Sequence, residues 1–259
     1  MVEARDESKR VRAFRRGITS EIPRFPNNRA SLDALEKKSL TSLLVTYIGW
    51  RLRHVAARPR GVTGQSALSG DPRAAALQPN IDAFIQAVQA GDDLTPYLSL
   101  RAITRGYTPA AEAGGGDDSW ADKDFVLNVM GLHHFHLGLT TESAGHKART
   151  DEVLFASVTR DQLEIIGLFD HAAFEYNDNG AMTAERSRLW SVFTALQERH
   201  ALPGQLMIGG FGGLGISTAG SPVAVVRAAQ EHVRILTEID PKLDDPAFVQ
   251  SLYPEAPPA

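Results

Sequence analysis

Between residues 39 and 57, apolar side chains recur three and four positions apart, at Leu40, Leu43, Leu44, Tyr47, Ile48, Leu52 and Val55. This spacing predicts an amphipathic helix that stops at Arg58-Pro59. A shorter helix is predicted where Pro79-Asn80 precedes Ile81, Phe84, Ile85 and Val88, with Gly91 as its cap. The period then changes. Gly131-Leu132-His133-His134-Phe135-His136-Leu137 reads as a strand, and so do residues 152–158 and 162–169, which are rich in Val, Ile, Leu and Phe. Only Thr159-Arg160-Asp161 separates the last two runs, which predicts an antiparallel hairpin. Helical spacing returns over 183–199, through Leu189, Trp190, Phe193 and Leu196. It returns again after Ser221-Pro222, where Ser221 is expected as N-cap.

These elements predict an α+β fold in which N-terminal helices pack on a small antiparallel sheet, followed by a mostly helical C-terminal extension. The expected organisation is a basic, flexible arm over 1–30, an α+β catalytic domain over 31–176 and a helical extension over 177–259 that carries a glycine-rich loop. The composition, 43% hydrophobic and 22% charged, is that of a globular protein. No apolar run reaches the ~18 to 20 residues of a membrane helix, and no apolar leader follows the charged first residues, so a cytoplasmic chain without a membrane partner is expected. With no cysteine, the chain has no disulfide, thiolate metal site or cysteine nucleophile of its own.

Charge is unevenly spread. Residues 1–60 hold 14 Lys and Arg against 6 Asp and Glu, whereas the chain as a whole carries a net charge of −4. The basic end of the long predicted helix, with Arg51, Arg53, Arg58 and Arg60, suits a polyanion such as RNA, and Lys147 joins this set from the loop after the first strand.

The strongest chemical signal is the histidine strand, which places three of the eight histidines within four residues. Alternation assigns His134 and His136 to one face and His133, Phe135 and Leu137 to the other. Imidazoles titrate near neutrality and serve as general acids and bases. His171, at the exit of the third strand, and Arg149, at the entrance of the second, are expected to converge with His134 and His136 at one end of the sheet. A His-x-His pair also fits metal ligation, with Asp170-His171 or Glu175 completing a zinc or manganese set. A non-catalytic RNA-binding or assembly module is a third possibility. The segment 209–215 contains Gly-x-Gly-x-x-Gly at Gly210, Gly212 and Gly215. Only the weak strand Gln205 to Ile208 precedes it, the next helix starts later at Ser221-Pro222, and too little chain remains after Ile239 for a parallel β-α-β sheet. A tight loop that lets backbone approach a neighbouring strand or an RNA phosphate is expected instead of a dinucleotide site.

The succession of helices, the Gly-Leu-His-His-Phe-His-Leu strand, Arg-Thr-Asp-x-Val-Leu-Phe, a hairpin and a terminal Phe-Asp-His resembles the RelE/ParE-like toxins and the wider barnase/EndoU/colicin/RelE class of ribonucleases. Its signature also looks like that of phage-defence or toxin-like proteins. The likeness spans residues 39–175. It implies a metal-independent endoribonuclease without a cofactor, which acts on RNA, in association with the ribosome or free, with an antitoxin or a second copy of the chain in a homo-oligomer as partner. In that reading His134, His136 and His171 supply acid and base and Arg149 meets the phosphate.

Overall fold

The computed structural model describes residues 7–109, 124–200, 215 and 220–252. Its elements run α1 (Lys9–Glu21), α2 (Arg29–Glu36), α3 (Leu40–Arg51), β1 (Gly61–Thr63), α4 (Pro72–Ala76), α5 (Gln78–Ala90), α6 (Leu100–Thr104), α7 (Phe125–Met130), β2 (Leu132–His136), β3 (Glu152–Val158), β4 (Gln162–Asp170), α8 (Ala184–His200), α9 (Val223–Ile239) and α10 (Pro246–Leu252). The fold is α+β. No described helix is long and apolar enough to cross a membrane.

Two compact units divide the chain: Met1–Arg51, Arg105–Asp122 and Ser221–Ala259 form one, and Leu52–Thr104 and Lys123–Gly220 form the other. This is not the linear arm, domain and extension expected above, because α9 folds with the first helices and α8 folds with the sheet. In the first unit Ile18 and Ile22 are buried with Leu35, Leu43, Leu44, Trp50, Tyr107 and Ala229. Within the expected arm, residues 9–21 are helical: Ser8 caps α1 by accepting from the Val11 amide at 3.1 Å, and Ile18 and Ile22 point into a core. The density of Lys and Arg had concealed that apolar stripe. These cations are engaged within the unit. Arg10 pairs with Asp240 and Asp244, each at 2.8 Å, and Arg15 donates to the Glu36 and Lys38 carbonyls. Pro222, not Ser221, occupies the N-cap position of α9.

The second unit is built on a sheet of order β1-β4-β3-β2. The β3–β4 hairpin and the β2–β3 pair are antiparallel as expected, but β1 joins β4 in parallel, so the sheet is mixed. The turn between β3 and β4 is closed by Thr159, whose amide donates to the Gln162 carbonyl at 2.9 Å and whose hydroxyl accepts from the Gln162 amide. On one face of the sheet Phe135, Leu137, Leu154, Leu163 and Leu168 pack with Ile81, Phe84 and Val88 of α5, so the 3.6-residue stripe of that helix meets the two-residue alternation of the strands. The opposite face carries Leu132, Val153, Phe155 and Phe169 against Val126 and Val129 of α7 and Leu189, Phe193 and Leu196 of α8.

The long helix predicted over 39–57 ends at Arg51. Past that point the chain unwinds and Val55 joins the α5-facing core, while the Leu52 carbonyl accepts from His133 Nε2 at 3.0 Å. A tertiary bond to a histidine thus replaces the next helical one.

Candidate active site

Asp124 and Gly131 delimit α7 and so fix where the histidine strand begins. The Asp124 carboxylate accepts from the Leu127 amide at 2.9 Å, and Gly131, at φ 70°, supplies the left-handed turn that ends the helix. Strand β2 then pairs His134 with Phe155 and His136 with Val153. His134 and His136 share the face that carries Phe155 and Phe169, and Phe135 lies on the other with the α5 core, as alternation requires.

The His134 ring is wedged 5.0 Å from Phe174 and 5.9 Å from Phe155. Its Nδ1 faces Asp124 Oδ2 at 3.7 Å, a distance for charge attraction and too long for a direct hydrogen bond. The His136 ring lies 6.4 Å from that of His134 and stacks 6.1 Å from that of His171. His136 is buried, at 8% exposure. Burial pushes its pKa down to about 4, and the positive charge available on His134, Arg149, His171 and His146 acts in the same direction. It is therefore a neutral imidazole at pH 7.

His171 lies at the exit of β4 and is exposed. Its Nδ1 is 2.9 Å from the Asp151 carbonyl oxygen, which can only accept, so Nδ1 carries the proton and, in the neutral ring, Nε2 keeps its lone pair. Asp170 supports this turn by accepting from the Ala172 amide at 2.8 Å.

The loop between β2 and β3 brings in the remaining groups. Gly138 passes so close to Ala148 that a Cβ would collide with the Ala148 backbone carbonyl. The Ala148 amide donates to the Thr140 carbonyl at 2.9 Å and the His146 carbonyl accepts from the Glu142 amide at 2.8 Å, which folds the loop back towards His136. His146 Nε2 lies 3.1 Å from Glu142. Arg149 projects from this loop, exposed. Gly138→Ala is accordingly expected to destabilise the protein by about 1 to 3 kcal/mol through backbone overpacking, read as a lower urea midpoint.

The four residues expected at the site, His134, His136, His171 and Arg149, therefore gather around one imidazole. They do not form an open end of the sheet: His134 and His136 are largely enclosed, and His171 and Arg149 are the exposed members. Asp124 and His146 were missed. Asp124 had a signal, an acidic residue directly before the helical run Phe125-Val126-Leu127. His146 had none, since its approach depends on the loop closure at Gly138.

The residues expected to bind RNA divide differently. Arg60 is buried, and its guanidinium is spent on the Thr159, Ala56 and Arg58 carbonyls at 3.0, 2.9 and 3.3 Å. Arg53 is also buried. Neither offers a cation to a polyanion, because the chain after Arg51 turns inward instead of continuing as an exposed helix end. Arg58 lies 3.4 Å from Asp161. Arg51 belongs to the other unit, where it lies over the Trp50 ring. Lys147 is half-buried, with its ammonium 3.3 Å from the Leu139 carbonyl and 5.2 Å from the centre of the Tyr97 ring. Arg60→Met should lower stability by about 2 to 3 kcal/mol in urea unfolding.

The glycine motif at 209–215 lies outside the described residues, apart from Gly215. Among the described residues, no three His, Asp or Glu side chains are grouped so as to hold a metal ion. No family model, curated protein or solved structure matches this chain.

Proposed function

We propose that the chain is a metal-independent endoribonuclease that cleaves RNA by histidine acid/base catalysis. The observation that carries this reading is the tautomer of His171: the Asp151 carbonyl holds the Nδ1 proton and leaves an exposed Nε2 lone pair, next to two further imidazoles and an arginine. In the reaction, His171 Nε2 removes the proton from a ribose 2′-hydroxyl and the 2′-oxygen attacks phosphorus. The bond to the 5′-oxygen breaks, and the leaving oxygen takes a proton from His134, which faces the Asp124 carboxylate. Arg149 meets the charge that builds on the phosphoryl oxygens. His136, neutral at pH 7, is a positioning neighbour of both rings and donates no proton of its own accord. The products are a 2′,3′-cyclic phosphate and a 5′-hydroxyl.

The likeness of the histidine strand to toxin-type ribonucleases supports the same substrate and, as a partner, an antitoxin or a second copy of the chain. One observation favours metal-assisted hydrolysis instead. The Nδ1 atoms of His134 and His136 are buried without a hydrogen-bond partner, as unoccupied ligand atoms would be. Digestion of RNA with and without EDTA, beside elemental analysis of the purified protein, separates the readings. The acid/base reading expects cleavage to persist in the chelator, and loss of cleavage there transfers the site to metal chemistry.

A further inference from the structure

We propose that Tyr176 is a nucleobase-stacking platform beside the histidine cluster, so that the substrate is single-stranded nucleic acid held by one unpaired base. The inference rests on the reading of the cluster as a phosphodiester-cleaving site and adds the feature that recognises the strand. After the short turn His171–Phe174, Glu175 is extended at φ −107° and ψ 164°. Two aromatic residues flank it, Phe174 at the end of the turn and Tyr176 beyond it. Phe174 is the inner of the two, its ring 5.0 Å from that of His134 and 6.4 Å from that of His171. Tyr176 is the outer one, and half of its surface is open to solvent.

An exposed aromatic is not by itself a site. This one is built. Arg186, only 6% exposed, places its guanidinium 4.0 Å from the centre of the Tyr176 ring, donates through Nη2 to the phenol oxygen at 3.1 Å and through Nη1 to the Phe174 carbonyl at 2.9 Å. The backbone is pinned as well. Tyr176 bridges Met182, the Asn177 amide donates to the Ala181 carbonyl at 2.8 Å, and Gly180 closes the turn onto the Asn177 carbonyl. The ring is thus ordered before any ligand arrives, so little rotamer freedom is lost when a base stacks on it. A cation beneath the ring also suits an aromatic partner above it, and every nucleobase presents such a face. Tyr176 is tied to the cluster through Phe174, whose carbonyl shares the Arg186 guanidinium with the phenol and whose ring lies 6.4 Å from that of His171.

The test uses the full chain and a short 2′-O-methyl RNA, which lacks the nucleophile and is not cleaved, carrying a single 2-aminopurine. With the fluorophore at the stacked position, binding to the wild type quenches its emission. Tyr176→Leu weakens binding about tenfold and restores the emission, while Tyr176→Trp retains both. An abasic nucleotide scanned through the oligonucleotide probes the same contact without altering the protein. At one position it weakens wild-type binding about tenfold, and it has no further effect in Tyr176→Leu. Equal binding by wild type and Tyr176→Leu, with no sensitive position in the abasic scan, overturns the platform while leaving the ribonuclease reading in place. Failure of the wild type to bind any oligonucleotide overturns both.

Discussion

His171→Ala is expected to reduce RNA cleavage by about 10² to 10⁴-fold, the usual contribution of one positioned acid or base, while the folded protein loses less than about 1 kcal/mol. The combination follows from its place at the exit of β4. The ring is exposed, so its removal opens no cavity, and the bond from Nδ1 to the Asp151 carbonyl is a single surface contact that water can replace. His134→Ala is expected to lose activity to a similar degree with an added cost in stability of about 1 to 3 kcal/mol, because its ring fills space against Phe155 and Phe174. His133→Ala should behave in the opposite way. That ring donates to the Leu52 carbonyl and lies away from the cluster, so its loss destabilises the fold and spares the chemistry. Thermal unfolding and an RNA digestion assay on the three variants separate the cases, and equal destabilisation with equal loss of activity would return the histidines to a packing role.

The second large effect is on pH stability. His136 is held at a pKa of about 4 in the folded protein against about 6.5 in an unfolded chain. Between these values the unfolded state binds more protons than the folded state, so the contribution is complete above pH 6.5 and is lost as the pH falls towards 4. The expected loss is about 3 kcal/mol. The half-buried His133, also held below its ordinary pKa, adds to the slope with the same sign. Carboxylates titrate in part of this range too, so the informative quantity is the difference between wild type and His136→Asn in urea unfolding at pH 7.5 and pH 4. The wild type should lose the larger share, and identical losses would show that His136 is not a buried neutral imidazole.

The sequence carried the sheet and its facing more clearly than the surroundings. Alternation alone separated His134 and His136 from Phe135 and Leu137, and the three-residue link at Thr159–Asp161 predicted the hairpin, because strand period and turn length are local properties. What it concealed depended on distant contacts. Arg60 reads as an exposed cation in a basic run, yet the carbonyls that bury it include Thr159, almost a hundred residues later. The N-terminal arm reads as a solvated tail, yet Ile18 and Ile22 enter a core completed by Ala229. The parallel strand β1 is three residues long, too short to leave a period. The loop that carries His146 and Arg149 passes within collision distance of Gly138, which only a residue without a side chain allows.

In the proposed reaction these imidazoles activate a ribose 2′-hydroxyl. Its most direct test is mass spectrometry of the products from an RNA oligonucleotide digested in EDTA, beside the same oligonucleotide with 2′-deoxy substitution at the cleaved position. Histidine acid/base cleavage yields a 2′,3′-cyclic phosphate and a 5′-hydroxyl from the first and no cleavage at that position in the second. A 5′-phosphate product, or cleavage of the deoxy-substituted bond, would contradict it.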